Sequence, residues 1–265
     1  MVAAYLNRIG LLKEEVEVSA AGLQRLHAAH VFSIPFENLD IHTGRSIELD
    51  IAHLKKKIVD DRRGGFCYEL NYLFHHLLTS LGFDADILAA RIFRDDLEGP
   101  EFDHMCIWVR LEEDWLVDVG YGNLFIQPLR LNRDAAQQER DKAFKIERQQ
   151  RDHFLLWESD DGVDFFRRYS FRTIPVEIAS FGPQCQLKQT SQDSYFVQNL
   201  ICTIPTPAGR KSIFNCRFTE KDRDTETETV IQDEFRLNDL LEEHFDLKID
   251  GGIHLSDPDF LLSFQ

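Results

Sequence analysis

Apolar residues recur along this chain with two different periods, and the change of period divides it into regions. Over residues 69–81, Leu70, Leu73, Phe74, Leu77, Leu78 and Leu81 follow i, i+3, i+4 spacing, which predicts a helix burying one face, and Gly82 supplies its stop. Asp50 is placed to cap a helix carrying Ile51, Leu54 and Ile58, with Lys55, Lys56 and Lys57 as its solvated face. Ser19 is placed to cap another through Leu23 and Leu26. From about residue 85 to 189 the period falls to two. Segments 87–93, 105–111, 115–119, 144–150, 154–158 and 163–171 read as strands, separated by turn signals such as Glu112-Glu113-Asp114 and Asp160-Asp161-Gly162. Six short strands in succession predict an antiparallel sheet curled toward a barrel. Residues 133–142 are polar and read as a surface loop or short helix. Further on, 195–203 and 211–218 read as strands, 219–229 as a hydrophilic turn or edge, and 238–245 as a capped helix followed by an apolar tail. Three regions follow, at 1–83, 84–190 and 191–265, with no long linker between them.

Composition narrows the function. The 265 residues are 43% hydrophobic and include 21 Phe, ample for a packed interior, so global disorder is excluded. Thirty Lys and Arg against 46 Asp and Glu give a net charge of −16, a surface that repels nucleic acid. An anionic small ligand would need local cations or backbone amides. No apolar run approaches the roughly 18–20 residues of a membrane span, and Asn7, Arg8 and Lys13 interrupt the first apolar patch before a secretory core forms. The five cysteines (67, 106, 185, 202 and 216) are odd in number and irregularly spaced. A cytoplasmic protein with reduced thiols, no membrane contact and no metal site is the expectation. Cys-x-x-Cys and His-Glu-x-x-His spacings are both missing, and Gly120-Tyr121-Gly122 continues into no nucleotide-binding pattern.

Candidate chemistry concentrates at Arg62-Arg63-Gly64-Gly65-Phe66-Cys67-Tyr68-Glu69. Two glycines permit a tight approach to a helix start, and Cys67 then falls in the first turn, where unpaired amides and the helix dipole favour a thiolate. The same amides suit an oxyanion. Cys67 also shares a face with Leu70 and Phe74, as a plain core cysteine would. A thiol nucleophile needs a base and the base an orienter. Among ten histidines, His27, His30 and His53 fall in polar helical surroundings and His75 and His76 at a helix boundary, whereas His104 opens an apolar strand after an acidic loop. The next strand carries Asp118 inside an apolar run, and a buried carboxylate requires a partner; a hydrogen bond to imidazole Nδ1 would supply one. A turn at 112–114 puts His104 and Asp118 on one face but offset by four residues, roughly 13 Å, so contact demands a bulge, strong twist or later register. Asp118 also reads as the cap of a glycine-rich loop. Cys106, on the same strand face as His104, is the rival nucleophile and lacks the helix N-terminus.

At these residues the chain resembles the arylamine N-acetyltransferases. Arg63-Gly64-Gly65-Phe66-Cys67-Tyr68-Glu69-Leu70-Asn71 is similar to that family's signature around its nucleophilic cysteine. Ile34-Pro35-Phe36-Glu37-Asn38-Leu39 with His42, the run Val117-Asp118-Val119-Gly120-Tyr121-Gly122 with Pro128-Leu129, and Thr206-Pro207-Ala208-Gly209 resemble its other motifs. The resemblance spans nearly the whole chain and weakens past about residue 215. It implies an α+β fold: an N-terminal helical bundle, a central antiparallel β-barrel and a C-terminal α/β lid, with a cysteine-protease-like Cys-His-Asp arrangement. It implies Cys67 as nucleophile, His104 as base and Asp118 as orienter; Phe36, Tyr121 and Phe196 as acceptor-pocket aromatics; and a brace between Arg63 and Glu37. The implied reaction is ping-pong transfer from acetyl-CoA to arylamines, arylhydrazines or N-hydroxyarylamines through an acetyl-cysteine. For the donor phosphates, the backbone from Gly122 to Gln127, or Arg210 and Lys211, are the candidates. An amide synthase of the same fold acting on a carrier-bound acyl chain, a thiol hydrolase, and a protein in which Cys67 is simply buried are the alternatives.

Overall fold

The computed structural model describes residues 1–94, 96–133, 135–140, 142–223, 225–249 and 253. Its first region is helical. Helix α1 (Val2–Arg8) precedes α2 (Ala20–Ser33), which Ser19 caps by accepting the Gly22 N–H at 3.1 Å. A two-residue strand, β1 (Phe36–Glu37), leads into α3 (Leu39–His42). Helix α4 (Ile51–Leu54), capped by Asp50, continues as one π-helical stretch, Lys55–Asp60. Lys57 does not stay on the solvated face expected for that lysine run; the widened turn carries it inward, 7% exposed. Helix α5 (Cys67–Ser80) packs Leu70, Leu73, Phe74, Leu77 and Leu78 into the first core. It ends at Gly82 (φ 95°), where the Gly82 and Phe83 amides close on the carbonyls of Thr79 and Leu78.

A twisted antiparallel sheet follows: β2 (Asp84–Arg94), β3 (Leu97–Glu98), β4 (His104–Arg110), β5 (Asp114–Val117), β6 (Leu129–Arg130), β7 (Gln137–Glu139), β8 (Lys142–Arg148), β9 (His153–Ser159) and β10 (Phe166–Arg172). Its order is β6-β5-β4-β2-β10-β9-β8-β7, with β3 on β2, a nearly closed, barrel-like sheet. Strand β4 is buried on both faces. Met105, Ile107 and Val109 meet α5 and the helical core, while Cys106 joins Leu88, Leu116, Phe144, Phe154 and Tyr169 inside the curl, which is why its sequence reads as an unbroken apolar run. Part of the expected polar loop at 133–142 is strand, because Gln137–Glu139 pairs back onto β8. The period of two also ends sooner than expected: Ile178–Phe181 is a 3₁₀ turn and Gly182–Thr190 is helix α6, opened by Pro183 in its first turn.

The remaining elements are α7 (Tyr195–Gln198), β11 (Ile201–Pro205), β12 (Gly209–Phe214), β13 (Arg217–Asp222), β14 (Thr225–Val230) and α8 (Glu234–Phe245). The strand expected at 195–203 begins only at Ile201, because Ser194 caps a helical turn by accepting the Phe196 N–H at 3.2 Å. The single strand expected at 211–218 is a hairpin. It turns at Asn215 (φ 54°), whose side chain accepts the Leu200 N–H at 2.8 Å. The hydrophilic stretch at 219–229 forms β13 and the fully exposed edge strand β14. Helix α8 starts four residues before the expected 238, capped by Asp233; of the apolar tail beyond it, Leu247 and Ile253 join the core under this helix, and residues 250–252 and 254–265 lie outside the described residues. Strand β1 completes this second sheet, β1-β11-β12-β13-β14, so residues just before Cys67 are tied to the C-terminal third of the chain.

Candidate active site

Cys67 is the first residue of α5, and a close backbone crossing puts it there. A Cβ on Gly64 would lie 2.2 Å from the Pro35 carbonyl oxygen, so only glycine lets this segment run against β1. The crossing is locked from beneath by buried charges. Arg63 donates to Glu37 Oε1 (2.8 and 3.1 Å) and Asp40 (3.0 Å), while Lys57 contacts Asp40 and Glu69, each at 2.7 Å. The expected Arg63–Glu37 brace is thus one edge of a five-residue network. Glu69 also accepts the Phe66 N–H at 3.0 Å and so caps the helix that carries the cysteine.

His104 and Asp118 reach this point because the β4–β5 register differs from the one expected. Val109 pairs with Trp115 and Ile107 with Val117, which brings Asp118 two residues closer to His104 than a Leu111–Trp115 pairing would. Imidazole Nε2 meets Asp118 Oδ2 at 2.7 Å. The nitrogen used is Nε2, not the expected Nδ1; Cys67 is a further neighbour that favours the charged ring. All three side chains are buried, at 1–3% exposure. Burial alone would push the imidazole down, but the charge and hydrogen bond of Asp118, together with Cys67, outweigh it and raise His104 to about 10. Asp118 is held below the usual carboxylate range: burial opposes its ionisation, and His104, Asn71 and the Gly120 amide overcome that. Its Oδ1 accepts from Asn71 (2.9 Å) and Gly120 (3.0 Å), and Tyr169 donates to Oδ2 at 3.1 Å.

Two residues of this network were given no role from the sequence, although Asn71 ends the motif around Cys67. Asn71 uses both ends of its amide, donating to Asp118 and to the Met105 carbonyl (2.6 Å) and accepting the Val119 N–H (2.9 Å). His27, expected in polar surroundings, is fully buried; its Nδ1 contacts the Ile126 carbonyl at 2.6 Å and its Nε2 accepts the Asp118 N–H at 3.3 Å. Burial lowers it to about 4 and keeps it neutral. His30 is equally buried, beside Tyr5. A register that puts Asp118 against α2 was the missing signal. The rival Cys106 lies inside the curl of the sheet, where burial and the Asp118 charge push its thiol well up; it stays a neutral core side chain. Gly120 seats the loop: a Cβ there would lie 2.7 Å from the Cys67 carbonyl oxygen.

Phe36, Tyr121 and Gly122 line a small cavity together with Asp118 and Val119, and Tyr121 packs edge-on to His104 at 5.3 Å. Phe196 does not line that cavity; it stands behind Phe36 and Phe66, edge-on to Phe66 at 5.6 Å. Beyond Gly122 opens a cleft of about 890 Å³ lined by Arg140, Lys142, Arg168, Arg210, Lys221 and Arg223, with Glu139 and Asp160. Six cations in one cleft stand out on a chain of net charge −16. Arg210 lies here as expected and also donates to the Gly122 carbonyl. Lys211, its neighbour on β12, faces the other way, toward Glu220 (3.1 Å) and His244 (3.0 Å), and lines neither space. The Gln127 amide is not open to a ligand either: with that of Ile126 it binds the Glu139 carboxylate at 2.7–3.0 Å. Among the described residues no His/Cys/Asp/Glu group is placed to hold a metal, and no helix is long and apolar enough to cross a membrane.

A thiol at a helix start, a charged imidazole and a buried carboxylate are the groups that thiol-based acyl transfer requires. The N-acetyltransferase family model matches residues 19–253, and the chain belongs to the arylamine N-acetyltransferase family of acyltransferases. It is 30% identical to the arylamine N-acetyltransferase pineal gland isozyme NAT-3 of Gallus gallus, over 86% of this chain and 87% of that one. It is 32% identical to the arylamine N-acetyltransferase / N-hydroxyarylamine O-acetyltransferase of Salmonella typhimurium, over 88% and 84% respectively. The Mycobacterium marinum arylamine N-acetyltransferase solved in complex with CoA superposes with a TM-score of 0.84 at 26% identity, covering 93% of each chain.

Proposed function

We propose that the protein transfers acetyl from acetyl-CoA to the nitrogen of an arylamine or arylhydrazine, and to the oxygen of N-hydroxyarylamines, with Cys67, His104 and Asp118 as its catalytic residues. The observation that carries this is the buried cluster of Cys67, His104 and Asp118 at the start of α5, with His104 Nε2 on Asp118 Oδ2 at 2.7 Å. Asp118 keeps the imidazole charged beside the sulfur, and a charged imidazole is the partner that a thiol nucleophile needs. Cys67 Sγ attacks the thioester carbonyl, and the amides of the first turn of α5 stabilise the oxyanion. The C–S bond to CoA breaks and the CoA sulfur takes the imidazolium proton. The neutral amine nitrogen then attacks the acetyl-cysteine, its proton passes to His104, and the Cys67 thiolate is restored.

In this reading residues 1–83 carry the nucleophile, 84–190 the base and its orienter, and 191–265 the lid. The cationic cleft takes the phosphates of CoA, with Gly122 and Arg210 at its inner edge and the pantetheine arm running past Tyr121 to Cys67; Phe36 and Tyr121 form the acceptor wall. The CoA bound by the Mycobacterium marinum relative supports that donor. Five free, buried cysteines fit a reducing cytoplasm.

Steady-state rates over a grid of acetyl-CoA and aniline concentrations test the reading. Parallel double-reciprocal lines are expected. Converging lines would exclude the acetyl-cysteine route, and turnover of a carrier-bound acyl chain but not acetyl-CoA would point to the amide synthase. Release of acetate without acceptor, at the rate seen with it, would point to the hydrolase.

A further inference from the structure

Beside His104 lies an ion pair that the acetyl-transfer steps do not use. Asp103, the residue before His104, is 2% exposed, and its Oδ1 meets Lys188 Nζ of α6 at 2.6 Å; the Lys188 side chain is 7% exposed. Asp103 Oδ2 faces Arg94 at 3.3 Å without a hydrogen bond. A pair this deeply buried contributes little net stability, because desolvation offsets most of the attraction. Its geometry has a different consequence. On its other side the Lys188 ammonium sits 5.2 Å from the centre of the Phe196 ring. Ser194, which starts α7, donates to the Lys188 carbonyl at 2.6 Å and accepts the Phe196 amide. Helix α7 has only four residues and no buried side chain; Asn38 holds its backbone, donating to the Phe196 carbonyl at 2.8 Å, while Lys188 faces the ring itself. That ring in turn backs Phe36 and Phe66, the aromatics flanking Cys67. Meanwhile Tyr68 fastens the other end of the loop by donating to the Phe102 carbonyl at 2.6 Å.

We propose that Lys188, latched to Asp103, is a specificity-determining residue on the acceptor side: through Phe196, which backs Phe36, it fixes the spacing between the acceptor wall and His104, and so decides which aryl rings reach the acetyl-cysteine. The inference rests on the acetyltransfer reading, and it predicts that the two half-reactions separate, because neither Lys188 nor Asp103 lines the donor cleft. Single-turnover acetylation of Cys67 by acetyl-CoA and steady-state transfer to aniline and to the bulkier 4-aminobiphenyl test it, in Lys188→Met and in the double variant Lys188→Leu/Asp103→Leu. Acetylation is expected to stay within about twofold of wild type. The acceptor KM is expected to rise about tenfold, and the preference between the two amines to change by a similar factor, on the order of what a pocket wall contributes. The double variant is expected to match or exceed the melting temperature of Lys188→Met while keeping the altered preference, since an apolar pair tolerates that site. Acetylation and acceptor transfer falling in parallel, or a wild-type amine preference in the folded double variant, would overturn the latch. Normal acetylation of the wild-type protein in the same experiment keeps this result separate from the parent reading.

Discussion

The two spaces that meet at Gly122 are built on opposite principles. On one side, Cys67, His104 and Asp118 sit at 1–3% exposure inside a network in which both carboxylate oxygens of Asp118 are hydrogen-bonded twice. On the other side, a cleft of about 890 Å³ is lined by six cations, two of which, Lys142 and Arg168, pair with the buried Glu158. The first arrangement suits bond-making, because dipoles fixed in advance need not reorganise as charge moves. The second suits capture of a polyanion, which needs charge at short range but tolerates imprecise contacts. The contrast implies that changes on the buried side act on the rate of chemistry, and changes in the cleft act on donor concentration dependence.

The sharpest way to break the comparison is at the carboxylate. Asp118→Asn is expected to slow acetylation of Cys67 by roughly 10⁴-fold, the scale of the same change in a serine triad, with little change in acetyl-CoA KM; stopped-flow acylation kinetics read it. Next in size is His27→Leu, which leaves the Asp118 N–H buried without an acceptor. It is expected to cost about 1–3 kcal/mol of stability and to lower kcat more than KM, as denaturant melts and steady-state assays would show. On the open side, Lys221→Ala with Arg223→Ala is expected to raise acetyl-CoA KM about tenfold at low salt, with kcat preserved, and the difference is expected to shrink as salt rises. The same pair should leave reaction with p-nitrophenyl acetate, a donor without phosphates, unchanged.

A subtler effect is in pH. His104 is raised in the folded protein to about 10 from an ordinary value of 6.5. Its contribution to stability is therefore full below pH 6.5 and lost progressively as pH rises toward 10. Wild type is expected to lose melting temperature across that interval faster than His104→Asn, and activity is expected to fall near its upper end as the imidazolium discharges. Identical pH slopes for the two proteins would remove the charged-imidazole premise.

The same contrast explains what the sequence disclosed. The buried side was legible where its residues are contiguous: Gly64-Gly65-Phe66-Cys67 carries its own turn and helix start, and Asp118 betrayed itself as a carboxylate in an apolar strand. It became illegible where register decides. A shift of the β4–β5 pairing relative to the turn turned an apparent 13 Å offset into a 2.7 Å contact through the other ring nitrogen. His27 looked polar because only the third dimension puts α2 against Asp118. The cleft was nearly unreadable, since its cations come one or two at a time from β7–β8, β10, β12 and β13. Period alone located the six central strands and missed α6, whose polar, weakly amphipathic residues resemble a loop. Asn215 and Ser194 broke two expected strands because each bonds a nearby backbone amide in place of a ladder partner.

The central claim is that the Cys67 sulfur becomes acetylated before any acceptor binds. Intact-mass spectrometry after brief mixing with acetyl-CoA alone, on the wild type and on Cys67→Ala, measures this most directly. One added acetyl group is expected in the wild type, none in Cys67→Ala, and its discharge on adding aniline. An unmodified wild-type mass, or an equal adduct on Cys67→Ala, would contradict it.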